Sequence, residues 1–132
     1  MALTEIWIAG KPPTATAQQK GRSATGAWYK PAKVRAAEQW YLWGLKSSKP
    51  AEPLEGAVIL SVEFRFPAGR GHHDGDPKIT RPDTDNMIKL LKDCMTKLGF
   101  WVDDAQVALE LVRKSYATEP GVKIIVSKWR QR

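Results

Sequence analysis

Residues 81–107 constrain the fold and chemistry of this chain most, because acidic side chains gather there around one amphipathic helix. The segment reads RPDTDNMIKLLKDCMTKLGFWVDDAQV. Pro82 disfavours a helical residue before it, so the chain should arrive extended and turn helical at one of residues 83–85. Gly99 suits the helix end. Between them, apolar residues recur at helical spacing: Met87, Leu90, Leu91, Cys94 and Leu98.

The aspartates of this segment stand on both sides of the predicted helix. Asp83 and Asp85 are two residues apart, so in an extended chain their side chains would project to the same side. Asp103 and Asp104 follow the helix, just before a predicted strand. If the helix packs against that strand, three or four carboxylates can meet, and like charges this close raise one another's pKa values. Mg²⁺ or Mn²⁺, which bind oxygen ligands, would remove that cost.

The same segment resembles the signature of the RusA-type Holliday-junction resolvases, small dimeric endodeoxyribonucleases of bacteria and their phages. Two parts carry the resemblance. The first, D-x-D-N-x-x-K, is formed by Asp83, Asp85, Asn86 and Lys89, and the second is GFWVDDAQV at residues 99–107. The resemblance implies a Mg²⁺-dependent nuclease that nicks paired strands at four-way DNA junctions, and a homodimer with two active sites.

The resemblance also implies roles for individual residues. By position, Asp83, Asp85 and Asp104 are the metal-binding and catalytic carboxylates, and Lys89 is the essential lysine. Asp103 either completes the metal shell or orients the turn. From spacing alone, a surface ion pair of Lys89 with Asp85 or Asp93 is the preferred interpretation of that lysine.

The overall charge suits a polyanionic partner such as branched DNA. The formal net charge is +7, with 21 Lys and Arg against 14 Asp and Glu, and such an excess favours nucleic acid binding. It is equally compatible with simple solubility. The single cysteine, Cys94, excludes an internal disulfide and fits a reducing cytoplasm, bacterial or phage-encoded. We expect no membrane association, because no apolar run approaches the length of a membrane span.

The remaining pattern predicts one domain over residues 1–132, of α/β class with α+β possible, RusA-like, in which two main helices cover a mixed sheet of about four strands. The first helix should run from Pro31 to about Lys46, with Glu38 on its polar side. The last two strands should be joined by a turn and form the antiparallel half of the sheet. The strands are predicted at 4–8, 57–66, 107–116 and 122–129.

Two polar segments without periodicity are candidates for contact with the DNA backbone. The first, 14–28, is predicted to be a loop and carries Lys20 and Arg22. The second, 67–81, is predicted to be a long mobile loop that orders on DNA. In both segments a solvated loop without a DNA role remains an alternative. The candidates of the second segment are Arg70, Lys78 and Arg81.

Together these features predict a structure-specific endodeoxyribonuclease that resolves four-way junctions by paired nicks in DNA recombination and repair. Two alternatives stay open. A metal-dependent nuclease of broader branched-DNA specificity would keep the carboxylates but show no junction preference. A non-catalytic DNA-binding module would explain the charge, although it has no use for a converging aspartate cluster.

Overall fold

A mixed sheet with helices on one face organises the computed structural model, which describes residues 3–16, 21–22 and 24–130. Short 3-10 turns follow the first helix at Lys46–Ser48 and precede the fifth strand at Asp104–Gln106. The strands are β1 (Leu3–Ala9), β2 (Gly21–Arg22), β3 (Trp28–Tyr29), β4 (Val58–Pro67), β5 (Val107–Ala117) and β6 (Gly121–Lys128), and the helices are α1 (Ala32–Leu45) and α2 (Thr84–Lys97).

The main sheet has the strand order β1-β6-β4-β5 within the described residues. Strand β4 is antiparallel to β6 and parallel to β5, and β6 is antiparallel to β1. Parallel neighbours need a crossover, which α2 supplies between β4 and β5. The predicted mixed sheet of about four strands with two helices is therefore confirmed. The expected antiparallel pair at the end of the chain is wrong in part, because β4 lies between β5 and β6.

The core lies between the helices and one face of this sheet. Strand β4 alternates buried and half-buried residues along its length, as a strand with one covered face does. Helix α2 buries its predicted stripe, with Leu98 partly buried beyond its end. Helix α1 begins after Pro31, which occupies the N-cap position. Against expectation, α1 also buries Glu38, which is only 9% exposed.

The opposite face of the sheet keeps apolar side chains in contact with solvent. The strand register places Ile59 beside Leu109 and Ser61 beside Leu111 on this face. Leu109 is 42% exposed and Leu111 is 63% exposed. Glu63 lies on the same face and forms ion pairs with Arg65 and Arg113. Its carboxylate therefore lies on the face of the sheet opposite the helices.

Both polar segments contain more regular structure than predicted. Strands β2 and β3 form a small antiparallel pair within the first. The second is tied to β5: Gly75 N donates to Tyr116 O at 2.7 Å, Tyr116 N donates to Asp76 O at 2.8 Å, and Lys78 N donates to Lys114 O at 3.1 Å. The expectation of a free mobile loop over 67–81 is therefore wrong, because the edge of β5 provides backbone partners for it.

The helices are too short or too polar to cross a lipid bilayer, as far as the described residues go.

Candidate active site

The N-terminus of α2 presents two of the predicted carboxylates. Asp83 is the N-cap residue with extended backbone angles, φ −75° and ψ 149°. Asp85 lies in the first turn of the helix. The predicted start of the helix at one of residues 83–85 is confirmed. Because Asp85 is already helical, the two aspartates do not share one extended segment, which was the condition for their side chains to project to the same side. Both are exposed, and the Asp83 side chain caps no backbone N–H among the described residues, which leaves its carboxylate available to a ligand.

Lys114 of β5 fixes the chain where it enters this helix. Its Nζ donates hydrogen bonds to Thr80 O and to Pro82 O, each at 2.7 Å. Pro82 immediately precedes Asp83. The edge strand β5 thus positions the backbone from which Asp83 and Asp85 project.

The second pair of aspartates lies in a turn that is held from several sides. Trp101 is 1% exposed and its Nε1 donates to Thr96 Oγ1 at 2.7 Å. Gln106 accepts hydrogen bonds from Val102 N and Asp103 N through Oε1. Its Nε2 donates to the carbonyl oxygens of the 47–57 connection at Leu54 and Gly56. The turn after α2 is therefore rigidly anchored.

Asp103 orients this turn, which was one of its two predicted roles. Its Oδ1 accepts from Ala105 N at 2.9 Å, and together with Gln106 it forms a capping box. A capping box satisfies two backbone N–H groups that would otherwise lack partners. The neighbouring Asp104 points instead toward α2.

Lys89 connects the two acidic segments. Its Nζ lies 2.9 Å from Asp93 Oδ1 and 3.3 Å from Asp104 Oδ2. The pKa of Lys89 is raised above its ordinary value, first by the hydrogen bond to Asp93 and next by that to Asp104. The alternative prediction of an ion pair with Asp93 is therefore confirmed, and Asp104 shares the same ammonium group.

Charges alternate along one line of α2. At intervals of four residues the helix carries Asp85, Lys89, Asp93 and Lys97. Side chains four residues apart are neighbours on a helix surface. Lys89 binds Asp104 from this line, and Lys97 binds Glu38 of α1 at 3.0 Å. The helix thus joins the Asp104 turn to α1 through its lysines.

A cleft of about 460 Å³ lies beside these contacts. The residues that line it come from the region of α1 and α2 and from the turn at residues 102–104. Glu38 and its two lysine partners are among them. The residues around the cleft are Lys30, Glu38, Asp93, Thr96, Lys97, Val102, Asp103 and Asp104.

Glu38 is the site residue that sequence reasoning missed. Lys30 Nζ lies 2.9 Å from Glu38 Oε1, and Lys97 Nζ lies 3.0 Å from Oε2. Burial is the largest influence and opposes ionisation, but hydrogen bonds and charge from Lys30 and Lys97 together lower the pKa of Glu38 below 4.5. A signal was present: Glu38 stands four residues after Val34 and three before Tyr41, on the buried stripe of α1.

The chemistry of the carboxylates suits a hard divalent cation, but their side chains are not gathered into one group. Asp104 already attracts the Lys89 ammonium, so this carboxylate accepts a positive charge. Asp85 stands about 12 Å from Asp93 along the axis of α2. Across residues 3–16, 21–22 and 24–130, no three Asp, Glu, His or Cys side chains stand close enough to hold a metal ion. The oxygen donors fit Mg²⁺, and the assignment of Asp83, Asp85 and Asp104 stays a prediction.

The predicted DNA-contacting residues are dispersed. Lys20 lies outside the described residues, and for Arg22 only the backbone in β2 is described. Arg70 and Arg81 are exposed, with Arg81 two residues before Asp83. Lys78 is bound to Thr80 Oγ1 at 2.6 Å and lies over the rings of Phe66 and Tyr116. Of these side chains, Arg81 stands nearest in sequence to the acidic site.

Known proteins are similar to this chain in sequence. A profile of the family described as endodeoxyribonuclease RusA matches residues 11–127. The chain is 40% identical over 65 residues to the crossover junction endodeoxyribonuclease rusA of Lactococcus phage r1t, which covers 48% of this chain and 50% of the phage protein. It is 27% identical over 107 residues to YqaN of Bacillus subtilis (strain 168), covering 73% of this chain and 75% of that protein.

A third relative matches over a shorter stretch. The chain is 47% identical over 45 residues to the crossover junction endodeoxyribonuclease RusA of Escherichia coli (strain K12), covering 34% of this chain and 38% of that protein. The chain thus spans half or less of the length of the two relatives that are named as nucleases. The family match is broader, since it includes α1, α2, the Asp104 turn and most of the sheet. The chain belongs to the endodeoxyribonuclease RusA family.

Proposed function

We propose that this chain is a Mg²⁺-dependent, structure-specific endodeoxyribonuclease that resolves four-way DNA junctions by paired nicks in recombination and repair. The contact of Lys89 with Asp104 carries the proposal. These residues belong to two segments of the chain, one at α2 and one at the turn before β5, and both were singled out by the same motif. Asp85 stands one helical turn before Lys89, so the acidic and basic groups of that motif lie along one side of α2.

Asp83, Asp85 and Asp104 are the residues that would hold the cation, with Mn²⁺ as a possible substitute for Mg²⁺. When bound there, the cation supplies an activated water for attack on a phosphodiester and neutralises charge on the phosphate. Asp103 is bound to the backbone of its own turn, which supports an orienting role for it. The anchored turn and the Lys114 contacts would keep the carboxylates in place.

Lys89 is the group that would act on the substrate phosphate. Its side chain is 51% exposed, so a phosphate oxygen can approach the ammonium group. An ammonium carries three donors, and the two bonds to Asp93 and Asp104 leave one of them for the substrate. Lysine is charged at neutral pH at its ordinary pKa, and the carboxylates raise that pKa further. A positive charge next to the leaving oxygen would stabilise the transition state.

Branched DNA is the proposed substrate. The names of the phage and Escherichia coli relatives, both crossover junction endodeoxyribonucleases, support this choice. The net charge of +7 supports a polyanion in general. Lys20, Arg22, Arg70 and Arg81 remain candidates for backbone contacts, whereas the ring contacts of Lys78 favour a structural role. The origin of the relatives in a phage and in bacteria supports a cytoplasmic site of action.

A homodimer is the proposed assembly, since paired nicks need two active sites. The open face of the sheet is the surface best suited to it, because Leu3, Trp7, Leu109 and Leu111 are all at least 40% exposed. The second copy is the proposed occupant of this face. Glu63 and Arg113 on the same face pair with each other within one chain, so this charged part of the face does not oppose association of two copies related by a two-fold axis.

The experiment compares cleavage of a synthetic four-way junction with cleavage of linear duplex of the same sequence, with Mg²⁺ and with chelator. The Asp85→Asn and Asp104→Asn proteins are tested beside Glu52→Gln, a control that removes an exposed carboxylate outside the site. We expect paired nicks in the junction alone, lost in chelator and in both aspartate variants, while the control cuts normally and all variants bind the junction.

Other results would redirect the proposal. Metal-dependent cutting of duplex or other branched DNA without junction preference would indicate a nuclease of broader specificity. Tight junction binding without cutting under Mg²⁺ or Mn²⁺ would indicate a non-catalytic DNA-binding module. Full activity of Asp85→Asn and Asp104→Asn would overturn the assignment of the site.

A further inference from the structure

Glu38 of α1 forms ion pairs with Lys30, which precedes α1, and with Lys97 of α2. Glu38 is 9% exposed and stands on the apolar stripe of α1 between Ala37 and Tyr41. Taking a carboxylate out of water costs free energy that its partners must offset, and a buried ion pair is weak support for stability. An apolar side chain at this position would continue the stripe. A carboxylate at this buried position is therefore consistent with a role for the two lysines that it binds.

Both lysines contact Glu38, and both are also partly exposed to solvent. Lys30 is 46% exposed and Lys97 is 53% exposed, whereas the Glu38 side chain is 11% exposed. Lys97 uses one donor on Glu38 Oε2, and Lys30 contacts both carboxylate oxygens at 2.9 Å. Since each ammonium carries three donors, both keep a donor that can face the solvent.

The setting of these lysines indicates what they bind. They line the same cleft as Asp93, Asp103 and Asp104, so three carboxylates lie near them. A DNA phosphate would be repelled by these carboxylates, so it needs positive charge within the same cleft. A lysine that is already fixed in place loses less side-chain entropy on binding than a free one.

We propose that Lys30 and Lys97 form a DNA phosphate-binding pair, which Glu38 holds on the wall of the cleft next to Asp104. The inference rests on the proposed function, because the phosphate would belong to the strand that is cut. Glu38 is the positioning residue, and the two lysines make the contact. The pair would seat a backbone phosphate near the scissile one and so set where the strand crosses the acidic site.

Salt dependence of DNA binding tests the pair without any need for cleavage. Affinity for a fluorescent four-way junction is measured by anisotropy over a range of salt concentrations. The measurement is made in chelator, and again in Mg²⁺ with all substitutions placed in the Asp85→Asn protein. Lys30→Met and Lys97→Met should each weaken binding and reduce the slope of log affinity against log salt by about 1. Lys49→Met, an exposed lysine in the connection after α1, is the matched control.

Glu38→Gln distinguishes a positioning role of Glu38 from a general effect of net charge on DNA binding. The substitution removes one negative charge, so a general charge effect predicts tighter DNA binding. Loss of the carboxylate that holds both lysines predicts weaker binding, by about 3-fold or more, in spite of the gain in net charge. Circular dichroism and urea unfolding confirm that the variant is folded.

The outcomes distinguish this inference from the proposed function. If Lys30→Met and Lys97→Met keep the slope of wild type, or Glu38→Gln binds more tightly, the pair is not a phosphate site, even where junction cleavage in Mg²⁺ is intact. If the slopes fall as expected but no variant and no wild-type protein cuts the junction, the pair stands and the nuclease proposal fails.

Discussion

Lys114 donates a hydrogen bond of 2.7 Å to the carbonyl oxygen of Pro82, the residue before Asp83. The contact links β5 to the start of α2, across 32 residues of sequence. A second bond of 2.7 Å from the same Nζ reaches Thr80 O. The position of Asp83 is therefore determined by a strand at the edge of the sheet as well as by the helix that begins directly after it.

Lys114→Met should impair the nuclease through the position of Asp83. Loss of two hydrogen bonds from a charged group costs about 1–2 kcal/mol of stability. We expect cleavage to need at least a few-fold more Mg²⁺, since one proposed ligand is no longer held in place. A Mg²⁺ titration of junction cleavage measures this. Lys114→Arg keeps hydrogen-bond donors at this position, so its Mg²⁺ requirement should be close to that of wild type. Lys128→Met, at an exposed lysine, is the control. An unchanged Mg²⁺ requirement would refute the positioning role.

Asp93→Asn should lower the pKa of Lys89. The hydrogen bond to Asp93 is the largest cause of the raised pKa of that lysine. Because the folded pKa lies above the ordinary value of 10.5, the stabilising effect is present at neutral pH and is lost as pH rises through the folded pKa. NMR titration of labelled lysine side chains gives the value directly. Glu110→Gln, which removes the partner of Lys92, should leave Lys89 unchanged; equal titration of Lys89 in wild type and Asp93→Asn would contradict the prediction.

Acid should destabilise the wild-type protein through Glu38. The folded pKa of Glu38 is lowered below 4.5, so its contribution is present above pH 4.5 and is lost as pH falls through the folded pKa. Glu38→Gln should cost about 1–2 kcal/mol at pH 7 and should show a weaker loss of stability on acidification. Urea unfolding between pH 3 and pH 7 measures both proteins. If the free energy of unfolding of the two proteins falls equally between pH 7 and pH 3, Glu38 does not contribute to the pH dependence of stability.

The long periodic elements could be predicted from sequence because one rule governs each of them. The alternation in β4 and the stripe of α2 follow from burial on one face. The order of the strands in the sheet cannot be predicted from the local sequence of each strand. The turn at residues 118–120 suggests that β5 and β6 pair directly, yet β4 lies between them, since β4 has more apolar surface to bury on the covered face.

The parts of the site that escaped prediction depend on contacts between distant segments. The sequence places the start of the helix at one of residues 83–85 without deciding between them, and α2 begins at Thr84 with Asp85 in its first turn. Glu38 was assigned to the polar side of α1 because charged residues are seldom buried without partners. Its partner Lys97 stands 59 residues away in sequence, so only the packed structure shows that the charge is matched.

Leu111→Asp tests the homodimer and its surface together. Leu111 is 63% exposed on the open face of the sheet, so the substitution should leave the monomer folded, with stability changed by less than about 0.5 kcal/mol. A charge in the centre of an apolar interface disfavours association because it would be buried without a partner. We expect wild-type protein to sediment as a dimer and Leu111→Asp as a monomer. Ile79→Asp, at a side chain that is 91% exposed in the segment beside the edge of β5, should remain dimeric. A dimeric Leu111→Asp protein would exclude this face as the interface, and a monomeric wild type at micromolar concentration would remove the basis for paired nicks by a preformed dimer.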